Sequence, residues 1–478
     1  MIHCATRHSL RFGATALIAV AIGIAPTGCF SERSIPVEPG DLRAIKVAYQ
    51  PAPREFSTRD WLRQVSSQLA PLLPSEDRPP LLTEDLVAPD GPPIDVYRYF
   101  RERKQDQHRI LGNFFGLMHS AQAAGAHELV GEPPNWAGFE DVWVPVSPDV
   151  SLSGRFGLVR LDGQVQRADC IVLISGLFGD LAVQRTHDIA QSLLGAGHHV
   201  LALEMRGLGR TGERFPNVRY TYGGMEVGDL LAVDNWLRQR PDVRETGLVG
   251  HCWGANLALL AAWEDGRDDD DPDVGALYRP FLRPRDGRVH YPLGVMAFSP
   301  VVKWEELLDI LARERWSAWV DPVLSKLQGD IEKRADRWGL APNNGSLRAL
   351  ILSEVARSAL PNDPEIHDQG FRYLRIMPSS PSGNKLEKAR VPVVIVHAVN
   401  DPLGPAQHIA DLFADVANPN VAGMVLAGGG HVGFAPYARA YFYNLLTAFF
   451  DPHIGVAARV RPAPLTARQP TRETRTTR

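Results

Sequence analysis

From residue 139 onward, short apolar runs alternate with longer amphipathic stretches. Val142–Val144, Gly157–Val159, Ile171–Ile174, Val200–Leu203, Gly247–Val249, Gly294–Phe298, Val391–Val396 and Gly423–Leu426 read as strands. Most of these runs have no polar alternate positions, the pattern of strands buried on both faces. The clearest helix between them places Met225, Val227, Leu230, Leu231, Val233, Trp236 and Leu237 on one stripe, and Pro241 stops it. The alternation predicts an α/β fold: a doubly wound, mainly parallel sheet covered by helices, spanning residues 138–452.

Between the runs ending at Phe298 and starting at Val391 the chain has about ninety residues, too many for a simple connection. Helical patterns at Trp304–Trp319 and Ser346–Leu360 make this segment, about residues 300–390, a helical lid. Its face of Trp304, Leu307, Leu308 and Leu311 serves either to touch an acyl chain or to dock on the domain below. Residues 57–137 form an N-terminal helical extension. Ser57 caps a helix carrying Trp61, Leu62, Val65, Leu69 and Leu72, and a second helix is predicted from Ile94 to Ala124, with aromatics that pack on the main domain.

The two ends differ from the body. Arg7 and Arg11 precede an apolar stretch from Ala14 to Ala25, so residues 1–28 read as an export signal. That stretch is short of the roughly 20 residues a membrane span needs. Residues 29–56 are a polar linker, and 453–478, with six Arg between 459 and 478, a disordered tail.

The 478 residues carry a formal net charge of -4, and 44% are hydrophobic and 22% charged. These are globular values, and the weak acidic balance excludes the basic face that nucleic acid requires. The acidic stretch Glu264-Asp265 through Asp268–Asp271 and Asp273 lacks calcium-loop spacing and reads as a solvated loop. Four cysteines (Cys4, Cys29, Cys170 and Cys252) have no C-x-x-C spacing, so neither zinc nor a dithiol motif is indicated. Cys170 and Cys252 fall near opposite ends of their strands, roughly 15–20 Å apart, too far for a disulfide. Cys252 is therefore free.

Cys252 lies in Gly250-His251-Cys252-Trp253-Gly254, between a strand and a helix. A strand–G-x-nucleophile-x-G–helix turn exposes the central side chain on a strained elbow, with glycines where backbones crowd. The acid and histidine that such a site needs follow in order. Asp401 ends the strand Val393–Val396 within Asn400-Asp401-Pro402, and His431 lies on the Gly-rich loop Gly428-Gly429-Gly430-His431. His431 would take the thiol proton and Asp401 would fix its tautomer. The backbone N–H groups of Trp253 and of Leu177, in the turn Ser175-Gly176-Leu177-Phe178-Gly179-Asp180, would form the oxyanion hole.

Together with Met205-Arg206-Gly207, the loop Gly429-Gly430-His431-Val432-Gly433-Phe434 and Gly370-Phe371 followed by Tyr373, these motifs resemble the α/β-hydrolase superfamily and its YheT-like branch of esterases and lipases. The resemblance covers about residues 138–450 and departs from the family at Cys252, where a serine is usual. It implies hydrolysis of a carboxylic ester without metal or other cofactor. Here the reaction would run through Cys252, His431 and Asp401 by way of a thioester, on a small-molecule or lipid acyl ester. The alternatives are acyl transfer from the same intermediate and a catalytically inactive binding protein. No protein partner is indicated.

Thr27-Gly28-Cys29 resembles the end of a bacterial lipobox, with Pro26 where an aliphatic residue is usual. This implies a bacterial protein exported to the periplasm or tethered to a membrane through lipid on Cys29. Palmitate labelling in a bacterial host should mark the wild type and vanish in Cys29→Ala; equal labelling of both would remove the lipid anchor.

Overall fold

The computed structural model describes residues 57–87, 92–102, 134–177, 181–307, 363–377, 383–401 and 403–450. The export signal, the linker, most of the predicted lid and the tail lie outside these residues.

Among the described residues nine strands form one sheet. In chain order they are β1 (Leu81–Leu82), β2 (Phe139–Ser147), β3 (Val150–Gly157), β4 (Ala168–Ile174), β5 (His199–Glu204), β6 (Val243–His251), β7 (Val295–Phe298), β8 (Val393–Ala398) and β9 (Val421–Leu426). Their order across the sheet is β1-β9-β8-β7-β6-β4-β5-β3-β2. The five pairings from β5 through β4, β6, β7 and β8 to β9 are parallel, whereas β2, β3 and β1 join antiparallel. The uninterrupted apolar runs have their expected cause: every residue of β4, β5, β7, β8 and β9 is buried. The predicted Gly157–Val159 strand is corrected. The strand is Val150–Gly157, and its polar and glycine positions, paired with both β2 and β5, hide it from an apolar count.

The longer helices are α1 (Thr58–Leu69), α2 (Gln184–Gly195), α3 (Glu226–Arg238), α4 (Trp253–Gly266), α5 (Pro364–Leu374), α6 (Gln407–Ala414) and α7 (Phe434–Phe450). α3 packs on α4 in one layer, and α7 joins α1 and α2 in the other. Strand β6 shows both layers. A Cβ on Gly247 would lie 2.5 Å from Phe450 of α7, and one on Gly250 would lie 2.3 Å from the Gly254 carbonyl of α4.

The N-terminal extension belongs to this architecture. Asp60 N–H donates to the Ser57 hydroxyl (3.1 Å), the expected cap, and Leu62, Val65 and Leu69 are buried. Arg59 donates to the carbonyls of Val416 (2.6 Å) and Val421 (3.1 Å). β1 then pairs with β9, Leu81 opposite Val425, and covers an open sheet edge. The second predicted helix is shorter than its pattern. It runs from Val96 to Phe100 and ends at Arg101, whose φ of 62° turns the chain out of the helix; residues 103–133 lie outside the described part.

The acidic loop is solvated only in part: Asp268, Asp269 and Asp270 are exposed. Glu264, Asp265, Asp271 and Asp273 are buried. Glu264 pairs with Arg267, Asp265 with His290 (2.7 Å), and Asp268 and Asp271 share Lys388 (2.8 Å each). Carboxylates enter a protein interior when such partners offset the loss of water.

Met205-Arg206-Gly207 also finds a physical role. The buried Arg206 makes a two-pronged ion pair with Asp229 of α3, one arm at 2.7 Å. Burial outweighs this pairing and lifts the Asp229 carboxyl to about 6. Removing one partner strands the other charge in the interior. Arg206→Ala should lose about 3–5 kcal/mol of unfolding free energy in urea titrations; a loss below about 1 kcal/mol would show the pair to be dispensable.

Candidate active site

β6 delivers Cys252 and α4 begins immediately after it. The turn between them is so tight that Cys252 adopts φ 57° and ψ -125°, a conformation that costs a non-glycine residue of order 1–3 kcal/mol. Neighbouring backbones enforce it. A Cβ on Gly176 would lie 2.5 Å from the Cys252 Cβ, and one on Gly254 would lie 2.5 Å from the Ser175 carbonyl. The Cys252 N–H donates to the Phe298 carbonyl (2.9 Å), tying the elbow to β7. The next residue after Phe298, Ser299, is also left-handed (φ 50°) and donates its N–H to Val396 of β8 (2.9 Å).

The acid and histidine are in hydrogen-bonding contact. Asp401, at the carboxyl end of β8, accepts from His431 Nδ1 at 2.9 Å (Oδ2) and 3.1 Å (Oδ1). Its Oδ1 also accepts the N–H groups of Leu403 and Gly404, each at 2.8 Å. The histidine loop is fixed independently: Gly430, at φ 54°, donates its N–H to the Asn400 side chain (2.8 Å). The Asn400-Asp401 corner thus holds both the imidazole and the loop that carries it. His431 Nε2 is buried without a hydrogen-bond partner, and Cys252 and Asp401 are the groups that raise the imidazole.

The three groups shift one another. Burial pushes the Cys252 thiol up, but the charge and hydrogen bond of His431, with the Trp253 N–H, outweigh it and leave the thiol below its ordinary value. Burial opposes the charged imidazole of His431, yet Asp401 and Cys252 raise it to about 10. Asp401 is likewise held below the usual carboxylate range, burial being outweighed by His431. All three shifts favour a thiolate–imidazolium pair.

The residues expected from the sequence therefore meet here. Gly176 places the turn carrying Leu177 against Cys252, and Trp253 is the first residue of α4; Phe178, Gly179 and Asp180 lie outside the described residues. Cys170 is buried, and both described cysteines are free thiols. The sequence reading missed three supporting residues. Asn400 stands beside the acid in Asn400-Asp401-Pro402, and His397 follows directly on the apolar run Val393–Val396. Asn256, one turn into α4, clasps Val301 through both backbone groups (2.8 and 2.9 Å).

That clasp seats the start of the long insertion beside the elbow. Trp304 is buried edge-on against Trp253 (centroids 6.2 Å apart) and touches Phe371 of α5 (5.6 Å). Leu307 is half-buried against the core, so the described part of the predicted lid face docks on the domain; Leu308 and Leu311 lie outside the described residues.

The chain belongs to the alpha/beta hydrolase family, whose model matches residues 171–442. Among solved structures it is similar to the Pyrococcus furiosus esterase Pf2001, at 14% identity over 67% of this chain and 96% of that one, with a TM-score of 0.41. It is also similar to Est1E from Butyrivibrio proteoclasticus (14% identity, 67% and 99% of the chains, TM-score 0.36). A third is the Pyrococcus horikoshii acylaminoacyl peptidase (13% identity, 71% and 44% of the chains, TM-score 0.39). No curated protein matches the sequence.

Alkylation reads the thiolate directly. Because the Cys252 value is lowered, iodoacetamide should react well below the free-thiol range of about 8.5, the rate falling only as pH drops through the lowered value. In His431→Ala the principal lowering influence is gone, so the midpoint should move up by at least one pH unit; an unchanged midpoint would show that the histidine does not act on the thiol.

Proposed function

We propose that the protein is a carboxylic ester hydrolase of the YheT-like esterase and lipase branch, with Cys252 as nucleophile. The observation that carries this reading is the placing of His431: Nδ1 bonds to Asp401 while the buried Nε2 is left to the thiol on the elbow. An inactive binding protein has no need to keep that charge alignment.

The reaction follows from these groups. His431 Nε2 holds the thiol proton, and the Cys252 thiolate attacks the ester carbonyl. The developing oxyanion is received by the N–H groups of Trp253 and Leu177. As the intermediate collapses the C–O bond breaks, and His431 returns the proton to the leaving alkoxide, giving an alcohol and an acyl thioester on Cys252. A water deprotonated by His431 then attacks the thioester. Its C–S bond breaks, releasing the carboxylic acid and regenerating the thiol. Asp401 stabilises the imidazolium in both halves. The substrate is an acyl ester, small or lipid-like, met outside the cytoplasm by a protein exported through residues 1–28 and anchored at Cys29.

A series of p-nitrophenyl esters of graded chain length tests this reading. Wild type should turn over at least one member, and Cys252→Ala should fall by a factor of about 10³ or more. Turnover surviving in Cys252→Ala would overturn the nucleophile. Added alcohol should leave the free acid as the main product; an ester as the main product would make the protein an acyltransferase.

A further inference from the structure

A second histidine stands behind the acid. His397 lies on β8, four positions before Asp401, and is fully buried. Its Nε2 is 2.7 Å from the Gly404 carbonyl and 3.5 Å from Asp401 Oδ2. A carbonyl oxygen only accepts, so Nε2 carries the proton. The other nitrogen, Nδ1, is buried without a partner, which leaves it nothing to stabilise a second proton. The ring is therefore a neutral donor, and burial indeed holds it below the ordinary histidine value against the opposing pull of Asp401.

The donor acts on a short loop. Gly404 gives its N–H to Asp401 Oδ1 and receives the His397 proton on its carbonyl, so one residue is gripped from both sides. The space is filled: a Cβ on Gly404 would lie 3.1 Å from His397 Cε1 and 3.4 Å from Asp401 Oδ2. The charged groups acting on His397 are Asp401 and, from the glycine loop, His431. Tyr97, from the N-terminal extension, acts on the same carboxylate as a neutral phenol, raised by its burial.

We propose that His397 is a positioning residue for the acid of the triad: its Nε2–H pins the Gly404 carbonyl and faces Asp401 Oδ2, and so sets how firmly Asp401 holds His431 as the charged partner of Cys252. The inference rests on the Cys252–His431–Asp401 reading given above and adds a fourth member to it. His397 touches no substrate and transfers no proton. It acts through Asp401, and its effect reaches the thiol as a change in acidity.

The full-length protein with substitutions at His397 tests this. In His397→Leu the Gly404 carbonyl loses its donor and Asp401 is less well held. The iodoacetamide midpoint of Cys252 should rise by about one pH unit, and the rate at a pH below both midpoints should fall about tenfold. His397→Gln can present an amide N–H where Nε2 stood and should stay within about twofold of wild type. His397→Asn, whose amide ends nearer the Nδ1 position, should behave like the leucine variant. Toward esters, kcat should fall while KM holds. An unmoved midpoint in folded His397→Leu or His397→Asn, or failure of His397→Gln to recover the wild-type midpoint, would overturn the assignment. Should the variants not fold, nitrogen NMR of histidine-labelled wild type decides alone. His397 should show a protonated Nε2 and a bare Nδ1 across neutral pH, and an imidazolium or the opposite tautomer would refute the proposal. Ester turnover in Cys252→Ala would remove Cys252 as the nucleophile, and no turnover of any ester by the wild type would remove the hydrolase reading; both leave the alkylation comparison intact.

Discussion

The active site depends on one strained residue. Cys252 can stand proud of the sheet only because its backbone is left-handed, and it is left-handed because the turn from β6 into α4 leaves no other course. That turn in turn requires glycine at 176, 250 and 254, where a Cβ would lie 2.5 Å or less from a neighbouring atom. The strain is offset by everything that the elbow is packed against. α4 is buried along almost its whole length, and Cys252 is hydrogen-bonded to β7. Cys252 is thus held by the core of the domain, and its position does not depend on a flexible loop.

Charge alignment is the second constraint, and it is built from backbone as much as from side chains. Asp401 is buried, which opposes its charge, yet two backbone N–H groups and the imidazole keep it ionised. The imidazolium so favoured lowers the thiol although burial alone would raise it. Each member would be poorly placed without the others. Such interdependence bears on the proposed role of the cysteine at this elbow: a thiol needs less activation than a hydroxyl, and the surroundings already favour its charged form.

Much of this was legible in the sequence, for identifiable reasons. Uninterrupted apolar runs betray strands buried on both faces, and the glycine spacing around Cys252 betrays crowded backbone. Asp401 and His431 were legible because they follow strands in a fixed order. What stayed hidden depends on partners distant in sequence. The two residues of β1 carry no periodicity of their own, and pair only because Val425 and Met424 present an edge. The acidic stretch looks solvated throughout until Arg267, His290 and Lys388 are brought to its buried carboxylates. The helix after Asp95 stops at Arg101 although its aromatic pattern continues. Asn256 reads as an ordinary helical polar residue, and only the return of the chain at Val301 reveals the clasp.

The pairing of β1 with β9 has a bearing on how the molecule comes into being. Thr83 bonds both to the N–H and to the carbonyl of Gly423, residues 340 positions apart. A chain made from its N-terminus produces the first strand of this pair early and the second only near completion. Until then the apolar face of α1 and the residues of β1 have no surface to cover, and once β9 is made its edge is bare until they arrive. Closing that edge is the most non-local event in the sheet and carries the largest loop-closure entropy. The sheet is therefore sealed late, and during synthesis the chain holds a ready-made strand-pairing segment that must find its own far end before it finds another molecule.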